Sequence, residues 1–242
     1  MGIECIQKTL GTLYNTCKTV NCSSEFKALV VSDIHLGIGD DADDFRGNDI
    51  DFLQTVGDFF RQGYTLIILG DYMDLWENKD PSKIVRAHQA VWELVEKFGA
   101  ELNSRIIQLS GNHDSSLLPD AVRLLFPSRK EIFMTHGHRG DWACDRESWL
   151  AKTFVRYIWA GIGQRVFKMA DPTSARVEEN PEKHAEIRKA YNEWANDMKI
   201  TTLWGHSHFA EQVGFAFNSG CWIGQHRDGY TIENEQLTYH SF

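Results

Sequence analysis

The stretch LVVSDIHLG, residues 29–37, decides how the chain reads. An apolar run ends in Asp33, one apolar spacer and His35, and stops at Gly37. Such a run predicts a strand inside a core. A bare carboxylate is costly to bury unless something pairs with it. Side chains two apart on a strand share a side, so Asp33 and His35 can grip one cation.

The same form recurs along the chain. YTLIILGD (64–71) ends in Asp71, and SRIIQLSGNHD (104–114) ends in Asn112, His113 and Asp114. EIFMTHGH (131–138) ends in His136 and His138, and TTLWGHSH (201–208) in His206 and His208. Each carries a glycine, at Gly37, Gly70, Gly111, Gly137 and Gly205. In open α/β sheets, ligands gather beyond the carboxyl ends of the strands, so five separated motifs can converge on one crevice.

The segments between them have helical periodicity. DIDFLQTVGDFFRQG (49–63) puts Ile50, Leu53, Val56 and Phe60 on one face, with Asp49 as N-cap and Gly63 as stop. SKIVRAHQAVWELVEKFG (82–99) is one more amphipathic helix, and residues 1–26 hold a short helix. QVGFAFNSG (212–220) and DGYTIENEQLTYHSF (228–242) read as hairpin strands. Strands alternating with helices give an α/β layered fold with mixed sheets. Residues 142–200 break the rhythm with two or three helices, the first part aromatic and the last charged. They are expected to form an insertion within a single domain spanning 1–242. Placed before the last histidine pair, it is a candidate lid, with Trp149, Phe154, Tyr157, Trp159 and Phe167 to receive an apolar group or to pack on the body.

Composition narrows the function. The net charge is −9, with no basic block, so no extended nucleic-acid surface is expected. The five cysteines, odd in number and without C-x-x-C, indicate a reducing compartment rather than a disulfide framework. No stretch is apolar enough for a membrane span, and the chain reads as cytoplasmic. Oligomeric state is not legible.

The ligand types are carboxylates, imidazoles and one amide oxygen. That mixture suits Mn, Fe, Zn, Co or Ni and disfavours all-thiolate zinc or all-oxygen calcium sites. There are too many ligands for one ion; two divalent metal ions about 3.5–4 Å apart are a known hydrolytic arrangement.

SDIHLG, GDYMD, GNHD, THGH and GHSH, in this order, resemble the motifs of the calcineurin-like metallophosphoesterases. The resemblance covers about residues 27–224 outside the insertion. It implies an α/β fold in which a two-sheet β-sandwich of mixed strands is flanked by helices. It implies that Asp33, His35, Asp71 and His208 hold one metal, that Asp71, Asn112, His136 and His206 hold the other, and that Mn is the expected pair. It implies that His113 stabilises the transition state or protonates the leaving oxygen, with Asp114 orienting its ring. The expected reaction is in-line attack on phosphorus by a hydroxide shared between the metals. The insertion and GDYMDLWE are similar to those of bacterial UDP-2,3-diacylglucosamine pyrophosphatases, which carry arginine in place of His113 and aspartate in place of His138.

Arg46 and Asn48, in DDFRGND, and Arg139 are candidate phosphate contacts, or surface and capping groups; His138 is a candidate substrate or supporting residue. Asp74 and Glu77 are expected to support the site or lie at the surface. His88, His184, His226 and His240 fall outside the motifs. The expected substrate is a small phosphodiester or pyrophosphate of nucleotide type. The alternatives are a protein phosphatase, a nuclease, or a metal-binding scaffold without catalysis.

Overall fold

The computed structural model describes residues 2–114, 117–139 and 181–242. Eleven strands and five helices are named among them. In chain order they are α1 (Ile3–Thr16), β1 (Lys18–Asn21), β2 (Ala28–Val31), α2 (Asp49–Arg61), β3 (Thr65–Ile68), α3 (Pro81–Ala87), α4 (Gln89–Ala100) and β4 (Ile106–Gln108). Then come β5 (Ala121–Leu125), β6 (Glu131–Thr135), α5 (Pro181–Met198), β7 (Thr201–Trp204), β8 (Glu211–Val213), β9 (Ala216–Asn218), β10 (Asp228–Glu233) and β11 (Gln236–Ser241).

The strands form two mixed sheets. One has the order β11-β10-β2-β3-β4 and the other β1-β5-β6-β7-β9-β8. In the first, β2, β3 and β4 run parallel, and α2 and then α3 with α4 supply the crossovers parallel strands require. β10 and β11 join as a hairpin pairing Glu233 with Gln236. Its two loop residues, Asn234 and Glu235, both have positive φ, the backbone that matches strand twist in a two-residue turn. In the second sheet, β6, β7 and β9 are parallel, β5 runs antiparallel to β6 but parallel to β1, and β8 runs antiparallel to β9.

Alternation on the strands sorts side chains into three buried clusters, and these fix four layers. Ala28, Val30, Ile67 and Leu109 meet Val122, Leu124, Met134 and Leu203 between the sheets. Leu29, Val31, Leu66 and Ile68 face the other way, onto Phe52 and Val56 of α2 and Val91, Val95 and Phe98 of α4. Phe133 and Trp204 cover the far side of the second sheet against Leu10 of α1 and Tyr191 and Trp194 of α5. Strands covered on both faces read as continuous apolar runs; all four residues of β2 are buried.

Several sequence expectations need correction. The 82–99 helix is two helices. α3 starts at Pro81 with Asp80 accepting from Ser82 N at 3.0 Å, and the chain bends at His88 (φ −120°, ψ 43°). The bend places the His88 ring between two carboxylates, Nε2 2.7 Å from Asp43 and Nδ1 2.7 Å from Asp49. In α2 the N-cap position belongs to Asn48, and Asp49 is the first helical residue. Ile50 points to solvent, and Phe52 takes its place on the buried face. The N-terminal helix runs fourteen residues and is followed by β1, a strand that was not foreseen; nor was β5. α5 packs on α1 and the second sheet through Ile187, Tyr191 and Trp194. The last part of segment 142–200 is thus a structural layer. The lid reading, with its five aromatic residues, lies outside the described residues.

Candidate metal centre

The strands stop just short of the polar motifs. β2 ends at Val31, so Asp33 and His35 sit beyond it in a turn rather than on the strand. Both have φ 52°, Asp71 has φ 50°, His206 68° and His208 56°. Left-handed backbone is uncommon outside glycine, although Asp and His tolerate it better than most. Here it is locked by hydrogen bonds between the turns: Asp33 N donates to Gly70 O at 3.2 Å, and Ile34 N and His35 N both donate to Asp71 O at 2.9 Å. Gly111 is required by proximity. A Cβ there would lie 2.0 Å from Asp71 Oδ1.

These turns bring the expected ligands of both sheets together. Asp33 Oδ1 lies 3.2 Å from His208 Nε2 and 3.9 Å from His35 Nε2. Asp71 Oδ2 lies 3.1 Å from His136 Nε2 and 3.6 Å from His35 Nε2. Asn112 Oδ1 is 3.2 Å from His136 Nε2. Asp33, His35 and His208 form one group whose ligand atoms fit around an ion, and Asp71, His136 and His206 form a second. Asp71 touches members of both groups, the position a bridging carboxylate needs. All seven side chains are buried.

The chemistry of the cluster fits cations. Asp33 Oδ1, His35 Nε2 and both ring nitrogens of His208 are buried without a hydrogen-bond partner. Buried polar atoms are ordinarily paired, and a cluster of unpaired carboxylate and imidazole atoms facing one another is what divalent ions satisfy. The other lone pairs are already spoken for. Asp33 Oδ2 accepts from Ser32 Oγ and, at 3.0 Å, from His206 N. Asp71 Oδ1 accepts from His113 N at 2.8 Å. Each carboxylate therefore presents its remaining oxygen to the centre. Ser32 was missed in the sequence; its one cue is its place beside Asp33.

Electrostatics agree. Burial alone raises the Asp33 carboxyl, but His136 and His208 outweigh it and hold Asp33 well below the usual carboxylate range. Burial lowers His136, yet Asp71 and Asp33 lift it to about 9. A proton on the His136 ring balances carboxylate charge that metal ions would otherwise balance.

His113 stands beside the cluster with its Nδ1 3.1 Å from Asp74 Oδ1. This corrects the expected role of Asp114. That carboxylate accepts from the backbone N–H of Tyr72 and Met73 at 3.1 and 2.9 Å, and holds the Asp71 turn instead. Burial, followed by the nearby Asp71 charge, pushes Asp114 up to about 6. Asp74, buried, is the ring's partner.

The substrate-contact candidates divide. His138 is buried beside the centre, its ring 5.4 Å from that of His136. Asn48 is buried elsewhere, donating to Trp222 O at 2.8 Å, and is a structural tie. Arg46 pairs with Asp41 at the surface. Arg139 Nη2 pairs with Asp120 at 3.0 Å.

No curated protein sequence matches the chain. Among solved structures, a Streptococcus pneumoniae TIGR4 protein described as a predicted phosphoesterase is 17% identical, covering 89% of this chain and 87% of its own, with a TM-score of 0.39. An Aquifex aeolicus protein of unknown function is 18% identical, covering 80% and 83%, with a TM-score of 0.37. A provisionally named diadenosine tetraphosphatase is 16% identical, covering 93% and 98%, with a TM-score of 0.43. Likenesses this distant say nothing of this chain's substrate. The family model for calcineurin-like phosphoesterases matches residues 26–210, and the chain belongs to that family of metal-dependent phosphoester hydrolases.

Proposed function

We propose that the chain is a dimetal phosphodiesterase or pyrophosphatase for small, nucleotide-type substrates. Asp33, His35, Asp71 and His208 would hold one ion, and Asp71, Asn112, His136 and His206 the other. Two divalent cations so held supply Lewis acidity and a water acidified towards neutral pH. The mixed nitrogen and oxygen ligands suit Mn, Fe, Zn, Co or Ni, and manganese is the working pair on the family resemblance.

The chain's own residues do the rest. Asp74 Oδ1 accepts from His113 Nδ1, which leaves Nε2 as the atom that meets the substrate. From there it donates a proton to the departing oxygen or a hydrogen bond to the phosphoryl group, a contribution of about 10²–10⁴-fold. Burial of the centre strengthens both interactions.

The observation that carries the choice of ester is the fate of the arginines beside the motifs. Arg46 and Arg139 both pair with aspartates, Asp41 and Asp120. A dianionic monoester needs more positive charge than a monoanionic diester, so ion-paired arginines favour the diester. The test is hydrolysis of bis-p-nitrophenyl phosphate and p-nitrophenyl phosphate by metal-stripped protein reloaded with Mn, as wild type, Asp71→Ala and His113→Ala. The expected result is Mn-dependent diester turnover that collapses in both variants. Preference for the monoester overturns the assignment to diesters, and absence of turnover in protein carrying two ions supports the scaffold reading.

A further inference from the structure

The turn that follows Asp71 delivers two contacts to one imidazole. Asp74 meets the edge of His113 at Nδ1. Two residues on, the Trp76 indole lies flat on the same ring, with centroids 4.6 Å apart and planes inclined by 17°. The turn is itself fixed. Asp74 Oδ1 accepts from Trp76 N at 3.1 Å and Glu77 N at 3.0 Å, and Leu75 N donates to His113 O at 3.1 Å. Trp76 is buried at 5% exposure, yet it belongs to none of the three apolar clusters among the described residues.

A hydrogen bond to Nδ1 fixes that atom but lets the ring swing about the N–H···O axis. The flat contact removes this freedom. His35 also meets the His113 ring edge-on, with centroids 4.6 Å apart, but His35 is already a candidate ligand. We propose that Trp76 is a positioning residue for His113, its indole fixing the plane in which Nε2 addresses the leaving oxygen. This rests on the reading of His113 given above.

The test uses the full-length, Mn-loaded protein as Trp76→Leu, Trp76→Phe, His113→Ala and the Trp76→Leu/His113→Ala pair. Substrates are diphenyl phosphate, with a poor leaving group, and bis-p-nitrophenyl phosphate, with a good one. Trp76→Leu should lower kcat on diphenyl phosphate about tenfold, a part of the general-acid contribution. KM and the two-ion content should hold, and the loss should be smaller on the nitrophenyl diester. Trp76→Phe, which keeps an aromatic face, should retain most activity. In the His113→Ala background Trp76→Leu should cost nothing more, because the two act as one unit. Independently of turnover, the ¹³C-labelled His113 ring signal of metal-free protein, assigned by its loss in His113→Ala, should move downfield in Trp76→Leu as the indole ring current disappears.

A Trp76→Leu penalty that persists in full without His113, loss of bound metal, or an unmoved kcat and ring signal each overturns the inference. Impairment of Trp76→Phe as deep as that of Trp76→Leu does the same. An impaired His113→Ala beside an unimpaired Trp76→Leu defeats the inference alone. A His113→Ala protein with wild-type kcat on both esters defeats the reading of His113 and the inference with it.

Discussion

Replacing Gly111 by alanine probes the centre without substituting a ligand. Gly111 does not occupy left-handed backbone, so alanine fits its φ; the obstacle is the new methyl group. It would arrive 2.0 Å from Asp71 Oδ1 and 2.4 Å from Asp71 N. Contacts under 3.0 Å force something to shift, so 3.0 − 2.0 leaves 1.0 Å to be found. The oxygen in the way is the one His113 N holds, so Asp71 cannot turn aside without losing that bond. A displacement of about 1 Å at a reacting centre costs on the order of 10²-fold, or about 2.7 kcal/mol in the barrier. Because Asp71 reaches both ligand groups, affinity for both ions should fall as well. The assay is kcat/KM on a diester together with calorimetric titration of Mn into stripped protein. Gly99→Ala is the control: its new methyl meets Ile106 at an ordinary 3.6 Å, inside α4, where alanine is the better helix former. Wild-type kcat/KM and wild-type Mn affinity in folded Gly111→Ala would refute the close-approach argument.

Asp74→Asn should lower kcat by roughly 10–10²-fold with little change in KM, by freeing the His113 ring; an equal loss through KM alone would contradict the positioning role. His88, with a carboxylate 2.7 Å from each ring nitrogen, needs both as donors. Burial opposes the charge, but Asp43 and Asp49 outweigh it and raise its pKa above 6.5. Its stabilisation is therefore complete below about 6.5 and is lost as pH rises through the raised folded value. The gap in melting temperature between wild type and His88→Gln should accordingly shrink from pH 6 to pH 9, and a gap that widens would reverse the sign. Chelation should abolish turnover and lower the melting temperature, since an ion at a hundred times its Kd stabilises by about 2.7 kcal/mol; calorimetry with and without chelator measures it.

What was legible follows from how local each signal is. Asp33, His35, Asp71, Asn112, His136, His206 and His208 each close a short apolar run, and a strand end is a local feature. The layers were legible because apolar strands alternate with amphipathic helices along the chain, whereas the sending of alternate Ala28–Val31 side chains to two different cores was not. β1 and β5 escaped because KTVN is half exposed and Arg123 interrupts AVRLL. The bend at His88 brings its ring to Asp43, 45 residues earlier in the chain, a contact beyond any periodicity argument. The exchange of Asp114 for Asp74 is of the same kind. Adjacency favoured Asp114, but its carboxylate folds back onto the 72–73 backbone, while Asp74 arrives from another loop. Asn48 and Arg46 sat near a motif in sequence, but Trp222 O and Asp41 claim their side chains.

The left-handed residues give the centre its character. Non-glycine residues in sparsely populated backbone regions cost energy and persist only where their surroundings over-determine them. Of the seven candidate ligands, Asp33, His35, Asp71, His206 and His208 sit in this region, and the surroundings that hold them are identifiable. The Asp33 and Asp71 turns lace together through Gly70 O and Asp71 O, and Leu36 and Met73 form an isolated bridge just beyond. His206 N donates to Asp33 Oδ2, tying the second sheet's turn to the first sheet's ligand. The protein holds these ligands in place by backbone contacts anchored in three apolar cores. Buried carboxylates so close together favour positive charge beside them, and the Asp71 and Asp33 charges accordingly raise the His136 ring. Left-handed backbone and carboxylate repulsion gathered at the strand ends of two well-packed sheets are the stability cost of concentrating these ligands in one place.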